Sequence, residues 1–295
     1  MKEEHSGFEE FKSDVESLCE WLHSLGIKFE RGRVAQYLRT QKAIAEHIAK
    51  GNPAESETSV TFAQQADNFH DVSELLFIHE QLGNYDCEVF KRTLQHAVKG
   101  PILLGDETPQ SSDARNKVFE LVMAGRLREA GFKPRFVEPA DAVVAVDGII
   151  CSLECKRIQS EDGLKDAVAR GYSQIKERIK GSLANTRGLF AVDISKVINP
   201  TGERYFSADS SDHLAQIVEK PLIDFIEKNR QKFRKDFYPF IATIFIYLRT
   251  PAVIQEGGEH LANYRRLAPF PSFRNDGKNT QVYQSLTKRL QVVSK

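Results

Sequence analysis

The sequence predicts an α/β protein in which a mixed central sheet is flanked by helices, with an all-α amino-terminal domain before it. Three observations carry that expectation. Apolar residues recur at spacings of three and four through the first hundred residues, the period of an amphipathic helix. From Asp113 onward, helical and β-branched runs alternate in the order helix, three strands, helix, strand, helix, strand. Between Ala140 and Ile158 two apolar runs flank Asp147-Gly148, a two-residue hairpin signal.

Phe8, Phe11, Val15, Leu18, Leu22 and Leu25 form the first stripe, which stops at Gly26. Arg33–Lys50 reads as a second helix, Phe62–Leu82 as a third with a break near Asn68–Asp71, and Cys87–Lys99 as a fourth. Gly105–Ser112 is rich in turn residues and divides a helical domain at 1–105 from an α/β domain at 106–295. Asp113 is placed as the N-cap of a helix over Ala114–Ala130 that ends at Gly131. Phe132–Val137 follows as the first strand, then the hairpin, then a helix over Leu164–Ile179. Arg187–Ile198 is a further strand whose only acid, Asp193, is assigned to a strand-end turn or salt bridge. Ser211–Phe237 is a long helix with a basic end at Lys228, Arg230, Lys232, Arg234 and Lys235. Phe240–Thr250 is apolar throughout, as a central strand is. Beyond Pro251, Arg265, Arg266, Arg274 and Lys278 interleave with Tyr264, Phe270 and Phe273 in what reads as a packed tail or a single-strand contact.

Composition limits the function classes. Hydrophobic content of 41% and charged content of 28% are those of a water-soluble globular protein. The amino terminus, Met1-Lys2-Glu3-Glu4, lacks the apolar core of a secretory signal, and Phe240–Leu248 is too short to span a bilayer. A cytoplasmic protein with no membrane partner is therefore expected. Four cysteines read as small core hydrophobes in a reducing compartment. Net charge is zero but divided: residues 1–105 carry 11 basic and 17 acidic residues, and the remainder 30 and 24. The basic carboxy-terminal part is compatible with nucleic acid. Neither a phosphate-binding Gly-x-x-x-x-Gly-Lys loop nor a His-Glu-x-x-His zinc motif occurs.

The hairpin is where chemistry concentrates. If Asp147-Gly148 is the whole loop, Val146 faces Ile149 and the same register sets Asp141 across from Glu154. Directly opposed residues share a sheet face with Cβ atoms about 4.5–5.5 Å apart. Two carboxylates so placed repel, and a hard cation such as Mg²⁺ between them removes the conflict. Alternation puts Lys156 on the Glu154 face and Cys151, Leu153 and Cys155 on the other. Asp, Glu and Lys on one surface suit metal-assisted attack of water on a phosphodiester.

Pro139-Ala140-Asp141 followed by Glu154-Cys155-Lys156 resembles the PD-(D/E)xK nuclease superfamily, the restriction-endonuclease-like fold, with Asp displaced by one residue from an adjacent Pro-Asp pair. The resemblance spans roughly Asp113 to Gln255 as a succession of elements. It implies a metal-dependent nuclease, with DNA preferred over RNA, in which Asp141 and Glu154 hold Mg²⁺ or Mn²⁺. The Cys155 carbonyl joins them as a backbone ligand, and Lys156 positions or activates the attacking water. Glu120, in the helix before the hairpin, either completes that site or is merely solvent-facing or paired with Lys117 or Arg128. Gln174, on the next helix, is carried over from a related but differently arranged Gln and Tyr. The helical domain is assigned to substrate or partner choice, a protein partner or a second copy of the chain included. A role in restriction or anti-phage defence rests on fold analogy. The competing reading is an inactive nucleic-acid-binding or scaffold module of the same fold.

Overall fold

The computed structural model describes residues 8–30, 32–40, 62–101, 104–108, 110–180, 185–202, 204–234, 240–256, 260–271 and 277–293. Most of the expected second helix, together with Lys235, Phe273 and Arg274, lies outside them. The elements in order are α1 (Phe8–Ser24), α2 (described over 33–40), α3 (Phe62–Leu82), α4 (Glu88–Ala97) and α5 (Asp113–Glu129). Then come β1 (Ala142–Val146), β2 (Ile149–Arg157), α6 (Leu164–Ile179), β3 (Thr186–Asp193) and the single turn α7 (Ser195–Ile198). The chain finishes with β4 (Phe206–Ala208), α8 (Ser211–Arg234), β5 (Ile241–Ile254), β6 (His260–Pro271) and α9 (Gly277–Val293). Among the described residues no helix is long and apolar enough to cross a membrane.

The sheet is mixed. Strands β2, β3, β4 and β5 are parallel, while β1 and β6 run antiparallel to their neighbours at the two edges. Strand β6 lines one edge of β5 throughout, so β3 and then β4 occupy the other edge in turn. All 14 residues of β5 are buried, which is why its sequence is apolar without alternation. It runs past the predicted stop at Pro251 for a local reason. Pairing with β3 ends at Tyr247 and pairing with β4 begins at Ala252. The Arg249 amide points into that interval, donating to Ser195 Oγ at 2.9 Å. Pro251, of the same parity, has its missing N–H in the gap, where no ladder bond is lost.

Several boundaries differ from the sequence expectation. Phe132–Val137 is not a strand; only Arg135 bridges to Val143, and Pro134 within the segment has no amide hydrogen to give a ladder. The strand expected over Arg187–Ile198 ends at Asp193 and turns into α7. Helix α3 is continuous through Asn68–Asp71. Ser112, not Asp113, is the N-cap of α5. The tail read as mixed is the edge strand β6 and the helix α9. Charges and prolines on β6 are what edge strands carry against unwanted pairing, and they hid its alternation. Val282, Leu286 and Leu290, four apart and buried, anchor α9.

Two cores cover the two faces. One holds Cys151, Leu153 and Cys155 of β2 with α1, α3, α4, α5 and α9. The other holds Phe190 and Val192 of β3 with α6 and α8. The boundary expected at 105–106 leaves no mark on the packing, since residues from both sides of it share the first core. Helix α6 lies very close to the sheet, as Gly171 permits: a Cβ there would come within 2.2 Å of the Phe190 ring.

A buried charge network ties the amino-terminal helices to the sheet. Asp71 Oδ2 accepts from Tyr37 at 2.6 Å and Arg115 at 2.9 Å, and Oδ1 from Arg249 at 3.2 Å. Glu74 accepts from Arg249 at 2.5 Å and Tyr247 at 2.9 Å. Burial opposes the charge on Asp71, yet Arg115, Arg33 and Arg249 hold its carboxyl well below the usual range. Removing one member of such a cluster strands the others. Asp71→Ala is expected to lower unfolding stability by about 3–5 kcal/mol in urea titration; a loss under about 1 kcal/mol would show that the network holds nothing together.

Candidate active site

The hairpin forms in the expected register. Asp147 and Gly148 have φ of 48° and 81°, both left-handed, as a type I′ turn requires. Val146 pairs with Ile149 and the ladder continues to Ala142 with Leu153. One step further, Asp141 leaves the strand and its side chain takes over the next ladder position. Its Oδ2 accepts the Cys155 amide hydrogen at 2.7 Å. The amides of Ile150 and Ile158 point toward β3, so the odd residues of β2 direct amide and carbonyl toward β1. Because β1 has ended, the Cys155 carbonyl faces the same gap that Asp141 enters.

Three acids approach this gap from three directions, close enough to feel one another's charge. Glu154, in register with Phe190, points to the α6 side of the sheet. Asp141 fills the edge of the sheet. Glu120 approaches from α5, on the opposite face. Burial and the Glu154 charge push the Asp141 carboxyl up to about 6. Burial and then Asp141 push Glu120 up to about 8, against the pull of Lys117. The pairing of Glu120 with Lys117 forms, Lys117 donating to both of its oxygens at 2.9 Å, and the carboxyl nevertheless feels the charge of Asp141 and Glu154.

The expectation that only a metal makes the acids' proximity tolerable needs correction. Side-chain cations already meet them. Glu154 is 1% exposed, with Lys156 donating to Oε1 and Arg178 to Oε2. Arg178 also reaches the Leu153 carbonyl at 3.4 Å. Three acids thus face Lys117, Lys156 and Arg178, one from each of α5, β2 and α6. Among the described residues no three His, Cys, Asp or Glu side chains converge as a formed cation site. The donor chemistry nonetheless fits a hard divalent ion: carboxylate oxygens, an aligned backbone carbonyl, and two acids, Asp141 and Glu120, whose charge burial makes costly.

Arg178 was missed from the sequence. It belongs to a basic helix face that looks like ordinary solvated surface, and only the close seat of α6 on β3 turns it inward. Gln174 stands one turn earlier, exposed, and no hydrogen bond joins it to the carboxylates. Asp193 makes the strand-end contacts expected of it, accepting from Arg157 at 2.9 Å and from the Ser195 amide at 2.8 Å. The side chains of Lys117 and Lys156, 31% and 25% exposed, carry positive charge from the acids toward the surface.

Comparison of the chain with family models, curated proteins and solved structures finds no match in any of the three.

The raised acids make stability depend on pH with a definite sign. A carboxyl with a folded pKa above its unfolded value stabilises when protonated, and that contribution is lost as pH rises through the folded value. In chelator, the native chain should lose stability relative to Asp141→Asn between pH 4 and pH 8, by about 1–3 kcal/mol. Thermal denaturation of the two proteins across that range measures it. A constant difference between them would mean that folding does not raise the Asp141 carboxyl.

Proposed function

We propose that the chain is a divalent-metal-dependent nuclease of the PD-(D/E)xK kind, hydrolysing phosphodiester bonds in DNA in preference to RNA. The observation that carries the reading is the hairpin register. It brings Asp141 to the Cys155 amide and sets Glu154 and Lys156 beside it on one strand. That arrangement was deduced from turn chemistry, independently of the motif.

Asp141 and Glu154 would hold Mg²⁺ or Mn²⁺, with the Cys155 carbonyl as the backbone donor. When bound, such an ion polarises the phosphoryl oxygen and lowers the pKa of water. The Lys156 ammonium orients the attacking water and offsets charge on the phosphate. Arg178, released from Glu154, is placed to contact a phosphate oxygen through its planar fork. Lys117 holds Glu120 by both oxygens, and that acid would complete the ion's shell or serve a second ion. The same chemistry suits restriction or anti-phage defence inside a cell, a role that stands on fold analogy.

One observation favours a second reading, an inactive nucleic-acid-binding or scaffold module. Both oxygens of Glu154 are already paired with cations, so the fold is electrostatically complete without an ion. Plasmid, linear duplex and single-stranded DNA incubated with and without Mg²⁺ separate the two. The native chain should cut only with metal, and Glu154→Ala and Lys156→Ala should each slow cutting by about 10²–10⁴-fold while remaining folded. Undiminished cutting by both variants would exclude this site; metal-independent binding with no cutting would favour the inactive module.

A further inference from the structure

A cleft of about 760 Å³ opens between α7, β4 and α8, a size typical of small-ligand pockets. It lies beyond the carboxyl end of β3, where the chain passes through α7 to the start of β4. Val197 on its wall is four residues from Asp193, hence at most about 14 Å away along the chain. Asp193 in turn is hydrogen-bonded to Arg157, the neighbour of Lys156.

The cleft's rim is built rather than incidental. Asn199 is 3% exposed, and its amide is wholly used on one backbone unit: Nδ2 donates to the Arg204 carbonyl at 2.7 Å, and Oδ1 accepts the Arg204 amide hydrogen at 3.1 Å. That clamp closes the turn and fixes the backbone from which Arg204 and Tyr205 project. Tyr205 is 51% exposed, and Ile223, on α8 next to Asp224, is equally so. These are two of only four large hydrophobic side chains exposed among the described residues. Across the cleft stand Lys220 and Asp224, one turn apart on α8. Neither Arg204 nor Lys220 has an ion-pair partner among the described residues. Between them Pro221 has no amide hydrogen, so the Ile217 carbonyl one turn back loses its helical donor.

An exposed ring on a rigid turn, two uncommitted cations and a carboxylate acceptor within one cleft match the chemistry of a nucleotide. From this juxtaposition we infer that the cleft binds one unpaired nucleotide. Its base stacks on Tyr205, its phosphate lies between Arg204 and Lys220, and a base amino group donates to Asp224. The inference deepens the nuclease reading by naming a single-stranded segment as what the enzyme grips, and to that extent it rests on it. Stacking on an aromatic side chain is tolerant of sequence, so the cleft selects strandedness rather than a base order.

The test is binding without cleavage. The full chain in chelator is titrated against a fluorescent single-stranded DNA 12-mer and the matching duplex, with deoxyadenosine monophosphate as competitor. Native protein should prefer the single strand. Tyr205→Ala should weaken that binding about 5- to 150-fold, while Tyr205→Phe retains it. Arg204→Gln with Lys220→Gln should flatten its salt dependence. Competition by the mononucleotide at concentrations matching its own direct binding would identify a free nucleotide as the source; a much weaker competitor points to a strand. Unchanged binding by Tyr205→Ala, or equal affinity for duplex, would overturn the inference. Neither outcome touches the carboxylate site, whose Glu154→Ala variant is scored by cutting in Mg²⁺; binding intact with cutting absent in the native chain would sink the nuclease reading and leave the cleft standing.

Discussion

Repulsion among three carboxylates at the end of a five-residue strand is the constraint around which the rest is arranged. Asp141 reaches the gap because β1 stops one residue short of it, and it holds its place by capping the Cys155 amide. Glu154 and Glu120 approach from opposite faces of the sheet. Each brings or meets its own cation, from β2, α6 and α5. Burial, and then the neighbouring acids, still make ionisation of Asp141 and Glu120 costly, and both carboxyls are pushed up. Buried carboxylates with ammonium groups beside them are suited to a small hard cation inside and a phosphate outside.

Rigidity around that site comes from the buried network of Asp71, Glu74, Arg33, Arg115 and Arg249. It joins α2, α3 and α5 to the middle of β5. Through the Arg249 amide and Ser195 it continues to Asp193 and Arg157 at the end of β2. Arg157 also takes both oxygens of Glu107, in the segment between α4 and α5. The amino-terminal helices therefore form one wall of the α/β core. The helix that presents Glu120 is held on one side by those helices and on the other by the sheet.

What could be read from the sequence was local. Asp147-Gly148 dictated its own turn, the turn dictated the register, and the register brought Asp141 to β2. The apolar run of β5 announced a central strand, and α6 was legible to the residue. What could not be read depended on distant packing. Arg178 contacts Glu154 across 24 residues, and nothing in Lys176-Glu177-Arg178 distinguishes the inward cation from its exposed neighbours. Pro251 misled because its missing donor falls in a gap that exists only when β3 ends and β4 begins. Strand β6 was hidden by the arginines and prolines that protect an edge, whereas the Val282, Leu286, Leu290 stripe of α9 was present to be found.

The central claim is that the acids gathered by the hairpin receive a divalent ion in place of the arginine now on Glu154. Anomalous diffraction from crystals soaked in Mn²⁺ addresses it most directly. The account requires a peak bounded by Asp141, Glu154 and the Cys155 carbonyl, with Arg178 withdrawn from Glu154. Density for Arg178 still on Glu154, with no peak in the gap at saturating Mn²⁺, would contradict it.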